Sequence, residues 1–113
     1  MIIYGLKNCN TTQEAIKLLT EKEIEFSFYD FKKYTLSDDK IKEWFGKTPW
    51  ERFINKKGTT WRNLNEGVKR DITGPDQAMV IMQLETSLIK RPVVESGDKL
   101  FIGLDELKLN LVK

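Results

Sequence analysis

Cys9 is the only cysteine among 113 residues, and histidine is absent altogether. Any nucleophilic chemistry here would be sulfur chemistry without an imidazole base. That removes Cys-His dyads, Ser-His-Asp triads and nearly every zinc site, so no metal or bound cofactor is expected. An internal disulfide is excluded too, and a resolving thiol would have to arrive from another molecule. The cysteine falls in "KNCNTTQ", residues 7–13, where the apolar run "IIYGL" gives way to a helical pattern. A thiol at the first turn of a helix faces unpaired backbone N–H groups and the positive end of the helix dipole, which favour the thiolate. Free cysteine titrates near ~8.5, and placements of this type bring it to roughly 3.5–7.5. Lys7 adds positive charge nearby. Thr12 occupies the position where a dithiol enzyme would carry the second cysteine of Cys-x-x-Cys. Its hydroxyl can donate a hydrogen bond to the sulfur but cannot resolve a mixed disulfide. The plainer reading of a lone cysteine is a small buried hydrophobe; the polar neighbours Asn8, Asn10 and Thr11 argue against it.

Arg91 and Pro92 form the second candidate. Pro92 interrupts an otherwise good strand, which suits an edge, an end or a special turn with a cis bond. The donor fork of Arg91 suits an oxyanion or a carboxylate, and its charge would favour a nearby thiolate. Alone, it reads as a surface strand cation. A third feature, "KKGTTWR" at 56–62, gathers Lys56, Lys57, Thr59, Thr60 and Arg62 around Gly58. It reads equally as an anion- or peptide-binding loop and as a solvated turn, with Trp61 beside the cations suiting a partner surface. Trp44 and Trp50 read as core, and Lys32-Lys33 and Lys69-Arg70 as solvated charge.

The elements that must position these residues follow from periodicity. After "IIYGL" (2–6), Thr12, Ala15, Ile16 and Leu19 recur on one helical face up to about Lys22. "IEFSFYDF" (24–31) alternates like a strand, so the opening is β-α-β, with the two strands parallel across a right-handed crossover. The middle is helical. Ser37 caps a helix carrying Ile41, Trp44 and Phe45 and ended by Gly46; Thr48, Pro49 and Glu51 start another. A weak helical pattern covers 62–70, and "GPDQAMVIMQLE" (74–85) starts a further helix with Pro75 at its first position. Then "IKRPVVES" (89–96), a turn at Ser96-Gly97-Asp98 and "KLFIGL" (99–104) form an antiparallel hairpin, and "DELKLNLV" closes as a helix. The expectation is one α/β domain spanning 1–113: a thioredoxin-like four-stranded mixed sheet, β-α-β then β-β-α, with a helical insertion at about 36–86. In such a sheet the loop before the third strand faces the start of the first helix, which would bring Arg91 to Cys9.

Composition bounds the partners. Lys and Arg number 19 against 17 Asp and Glu, a net charge of +2, far from the one-sided basicity of a nucleic-acid binder. No signal-peptide pattern is present, and no apolar stretch approaches the ~20 residues of a membrane span. A soluble, cytoplasmic monomer is expected.

The strand-"KNC"-x-x-T-helix opening, "KGTTWRNL" at 57–64 and "LIKRP" at 88–92 resemble the arsenate reductase (ArsC)-like family of thioredoxin-fold proteins. The resemblance covers nearly the whole chain and points to the short YffB branch, with the regulator Spx as a cousin. It implies a bacterial thiol oxidoreductase in which Cys9 is the nucleophile and Arg91 the anion ligand. Lys7, Thr12, Lys57 and Arg62 are further candidates for the anion side. The resemblance also implies glutathione or another low-molecular-weight thiol as co-substrate, with a glutaredoxin-like reductant. Lysines stand around Asn55-Lys56-Lys57 where the family places an anion-binding arginine, and "FIGL" stands where it places another. The competing function is an Spx-like regulator whose helical insert, with Arg52 and the 56–62 loop, docks on the RNA polymerase α subunit. Thr12 removes the Cys-x-x-Cys oxidation switch common in Spx.

Overall fold

The computed structural model describes residues 1–111. The chain divides into two compact units, residues 1–34 with the chain from Arg91 onward, and residues 35–90.

The first unit is built on a mixed sheet. β1 (Ile2–Gly5) pairs in parallel with β2 (Ser27–Asp30) and antiparallel with β3 (Val93–Ser96), which pairs antiparallel with β4 (Lys99–Ile102), giving the order β2-β1-β3-β4. α1 (Asn10–Glu21) crosses between the parallel strands and α6 (Leu104–Leu111) follows β4. Register puts Ile3, Val94 and Phe101 in one row across the sheet, and these pack with Ala15, Leu19 and Leu107 into a core. On the other face Tyr4 lies against Tyr29, ring centroids 4.9 Å apart, and its hydroxyl donates to the buried Glu95 carboxylate at 2.7 Å. That bond satisfies the phenol and accounts for a carboxylate inside a strand pair.

Two boundaries differ from the periodicity reading. β2 is shorter than 24–31 because the end of α1 uses its first residues. Glu23 takes a left-handed φ of 58°, its N–H reaches the Thr20 carbonyl, and the Ile24 N–H reaches the Leu19 carbonyl. This Schellman closure turns Ile24 onto the core. β3 starts at Val93 rather than 89, because Thr86–Leu88 form a 3-10 turn and Ile89 instead bridges Ile54. The β3–β4 turn places Gly97 at φ 63°, a region that favours glycine. Val112, expected at the end of the last helix, lies outside the described residues.

The second unit is helical. α2 (Asp38–Phe45) is capped by Ser37, whose Oγ accepts from the Lys40 amide at 3.1 Å. The Thr48-Pro49-Glu51 signal yields only a 3-10 turn, Trp50–Phe53, since Ile54 must extend to reach its bridge with Ile89. The weak 62–70 pattern resolves into α3 (Thr59–Asn63) and α4 (Glu66–Asp71), broken by extended Leu64 and restarted by Asn65, whose Oδ1 accepts from the Gly67 amide. α5 (Pro75–Leu84) carries Pro75 in its first turn and buries Ala78 and Met82. The fully buried Trp44 stacks on Phe53, centroids 5.5 Å apart and planes within 4°; Trp50 is only half-buried. Among the described residues no helix is long and apolar enough to cross a membrane, and no three His, Cys, Asp or Glu side chains gather to hold a metal.

Candidate active site

β1 and β2 are parallel, so their C-terminal ends open on the same edge of the sheet, with Gly5 opposite Asp30. The chain after β1 turns through Leu6–Asn8 and enters α1 with Cys9 as its N-cap, in extended conformation. From the other side of β1 the chain enters β3 through Arg91 and a cis Arg91–Pro92 bond. Three segments distant in sequence therefore converge on one thiol.

Cys9 is half-buried. Arg91 Nε donates to its Sγ at 3.3 Å, and Thr11 Oγ1 lies 3.1 Å from the same atom. Thr11 in turn donates to the Arg91 carbonyl at 3.0 Å, closing a ring of contacts around the sulfur. Burial pushes the thiol up, but it is outweighed by the Thr11 hydroxyl, the Thr12 backbone amide and the Arg91 guanidinium, with a smaller share from the Thr12 side chain. The thiol falls from 9.0 to about 6. Positive charge and donors aimed at sulfur thus replace the absent imidazole.

A cavity of about 390 Å³ opens at this thiol, lined by Leu6, Lys7, Asn8, Asp30, Lys32 and Arg91 together with Cys9. A larger depression at the far end of α1, about 660 Å³, is bordered by Met1, Thr20 and Glu23 and has no thiol in its lining. Of the residues singled out from sequence, Cys9, Arg91 and Lys7 meet in the first cavity. Thr12 contributes chiefly its amide. Its Oγ1 is buried without a hydrogen bond of full geometry, and it packs against Gly5 so closely that a Cβ there would meet it at 2.5 Å. Lys57 and Arg62 are not among the lining residues. They are exposed in the helical unit, where the Lys57 amide closes a turn onto Asn55 Oδ1 and Arg62 lies in the last turn of α3. In the same stretch the Trp61 ring lies under two cations, Lys56 Nζ at 5.2 Å and Lys69 Nζ at 5.7 Å from its centroid.

Sequence reasoning missed Thr11, Asp30 and Lys32. Lys32 reads as solvated charge but borders the cavity, because Asp30 Oδ1 accepts the Lys32 amide at 2.9 Å and curls the chain there as it leaves β2. The signal that could have found both is the parallel pairing, since strand ends on one edge share a crevice.

A thiol at a helix start, a cis-proline loop opposite it and a mixed four-stranded sheet define a thioredoxin-like α/β protein of the monothiol kind. The chain belongs to the ArsC family, whose match spans residues 4–110. An uncharacterized protein of Haemophilus influenzae Rd is 34% identical over 104 residues, covering 92% of this chain and 90% of the relative. Among solved structures, a YffB protein superposes with TM-score 0.87 at 30% identity, covering 96% of this chain and 95% of its own. An arsenate reductase (ArsC) related protein of Brucella melitensis gives 0.77 at 33% identity, covering 98% and 92%.

Proposed function

We propose that the protein is a thiol-dependent reductase in which the Cys9 thiolate attacks an oxyanion or a glutathione-type mixed disulfide, with Arg91 meeting the anion. The observation that carries this reading is the convergence of Arg91 Nε and Thr11 Oγ1 on Cys9 Sγ, at 3.3 and 3.1 Å, at the mouth of a cavity bordered by Lys7 and Lys32. Membership of the ArsC family and likeness to an ArsC-related protein support it. In the disulfide reaction, the thiolate forms an S–S bond with one sulfur of the substrate and the other leaves as a thiolate. A second small thiol then attacks the resulting mixed disulfide, returning Cys9 as thiolate and carrying away the oxidised pair. That second thiol, or a glutaredoxin-like protein, has to come from outside, since the sequence holds no other cysteine. With an oxyanion, sulfur bonds to the central atom, hydroxide leaves, and attack by external thiol on that sulfur gives a mixed disulfide and a central atom reduced by two electrons.

The test pairs glutathione with bis(2-hydroxyethyl) disulfide or with arsenate and follows glutathione disulfide. Wild type is expected to turn over at least one of them, with a mixed disulfide on Cys9 visible by mass, and Cys9→Ser should fall to the uncatalysed rate. Equal rates for the two proteins would overturn the reading.

A further inference from the structure

Thr11 Oγ1 stands between two groups that both lie within hydrogen-bond reach, Cys9 Sγ at 3.1 Å and the Arg91 carbonyl oxygen at 3.0 Å. A hydroxyl has a single hydrogen and two lone pairs. When Cys9 is a thiol, every group is satisfied: S–H donates to Oγ1, and Oγ1–H donates to the carbonyl. When Cys9 is a thiolate the sulfur has no hydrogen to give, and Thr11 faces two acceptors with one hydrogen. A bond to an ionised acceptor is roughly twice as strong as one between neutral groups, so the sulfur takes it.

We propose that Thr11 is a positioning residue that couples the ionisation of Cys9 to the backbone of Arg91. Its hydrogen points to the Arg91 carbonyl beside a thiol and turns to the sulfur beside a thiolate, giving up its bond to that carbonyl. Thr11 neither gains nor loses a proton; the proton lost by Cys9 goes to solvent, and the hydroxyl only rotates about its C–O bond. Because Arg91 Nε also holds the sulfur, the residue that stabilises the anion is the one whose main chain loses the Thr11 bond. The charged groups bordering the thiol are Lys7 from the β1–α1 loop, Asp30 and Lys32 from the segment after β2, and Arg91 before β3. Of these, Arg91 acts on the Cys9 titration, beside the Thr11 hydroxyl and the Thr12 amide. The sequence holds no histidine to titrate beside Cys9.

The inference builds on Cys9 as the ionising thiol of the proposed reductase, but it needs no substrate. It is tested by labelling the Arg91 carbonyl with ¹³C and following its NMR shift beside the thiolate ultraviolet absorbance, from about pH 5 to about pH 9. Wild type, Thr11→Ser, Thr11→Val and Cys9→Ser are compared. The carbonyl shift is expected to move with the thiolate midpoint in wild type and in Thr11→Ser, which keeps a hydroxyl. In Thr11→Val the thiol should still titrate, about one unit higher, with the carbonyl response lost. Cys9→Ser should show no carbonyl titration. A wild-type carbonyl that stays still while the thiolate forms would overturn the inference, as would an unchanged response in Thr11→Val. If the thiolate forms only near the ordinary ~8.5, the reductase reading fails, while the carbonyl response at that higher pH still decides the coupling.

Discussion

The sheet unit and the helical unit are held together in opposite ways. In the first, the decisive contacts join residues far apart in the chain: Tyr4 reaches Glu95 across 91 positions and Cys9 reaches Arg91 across 82. In the second, α2 to α5 are local elements, none longer than the 10 residues of α5. Helices this short are marginal alone, and packing on a fully buried core of Leu36, Ile41, Trp44, Phe53, Met82, Leu88 and Ile89 supplies what they lack. Both units bury an apolar core, but the polar contacts around the thiol belong to the sheet unit. Damage to the helical unit should be read as lost stability, and loss of the contacts around Cys9 as altered sulfur chemistry.

The largest expected effect tests the helical side. Trp44→Ala removes a ring that is 0% exposed and stacked on Phe53, and should cost about 3–5 kcal/mol in urea unfolding. A loss under about 0.5 kcal/mol, the range of ordinary surface changes, would break the comparison. Arg91→Ala tests the opposite side. Losing a charge-assisted contact should weaken anion binding by about 1.5–3 kcal/mol, measured by calorimetry with the oxyanion. It should also raise the Cys9 pKa, because the guanidinium is one of the groups holding it down. Unfolding stability should barely move, since Arg91 is only half-buried; a large stability loss with an unchanged thiol would put Arg91 among the structural residues. Gly5→Ala falls between the two classes, because its new Cβ would meet Thr12 Oγ1 at 2.5 Å and Thr12 Cγ2 at 2.8 Å. Overpacking of this kind costs about 1–3 kcal/mol. Adding Thr12→Ala, which deletes both atoms, should recover most of it; a double variant no better than Gly5→Ala would place the strain elsewhere.

Much of the sheet unit was legible in the sequence because its signals are local and periodic. Thr12, Ala15 and Leu19 mark one face of α1 and are all buried, and Gly97 marks the hairpin turn. The architecture, β-α-β then β-β-α around a four-stranded sheet, follows from those signals and a right-handed crossover. What was not legible depends on geometry over one or two residues. Nothing in "NTT" says that Thr11, rather than Thr12, turns its hydroxyl to the sulfur, since that depends on how closely α1 approaches Gly5. Lys32 borders the cavity because of a turn made by the Asp30 side chain, a tertiary consequence that charge patterning cannot carry. In the helical unit the break at Leu64 has no glycine or proline to announce it; Asn65 as the next cap was the one readable sign.

The central claim is that the fold keeps Cys9 ionised near neutral pH without histidine. The direct measurement is the rate of Cys9 alkylation by iodoacetamide as a function of pH, with thiolate absorbance recorded in parallel. Because only the thiolate reacts, the rate should rise through a midpoint at about 6 and level off above it. A rate still climbing through ~8.5, as for a free thiol, would contradict the account.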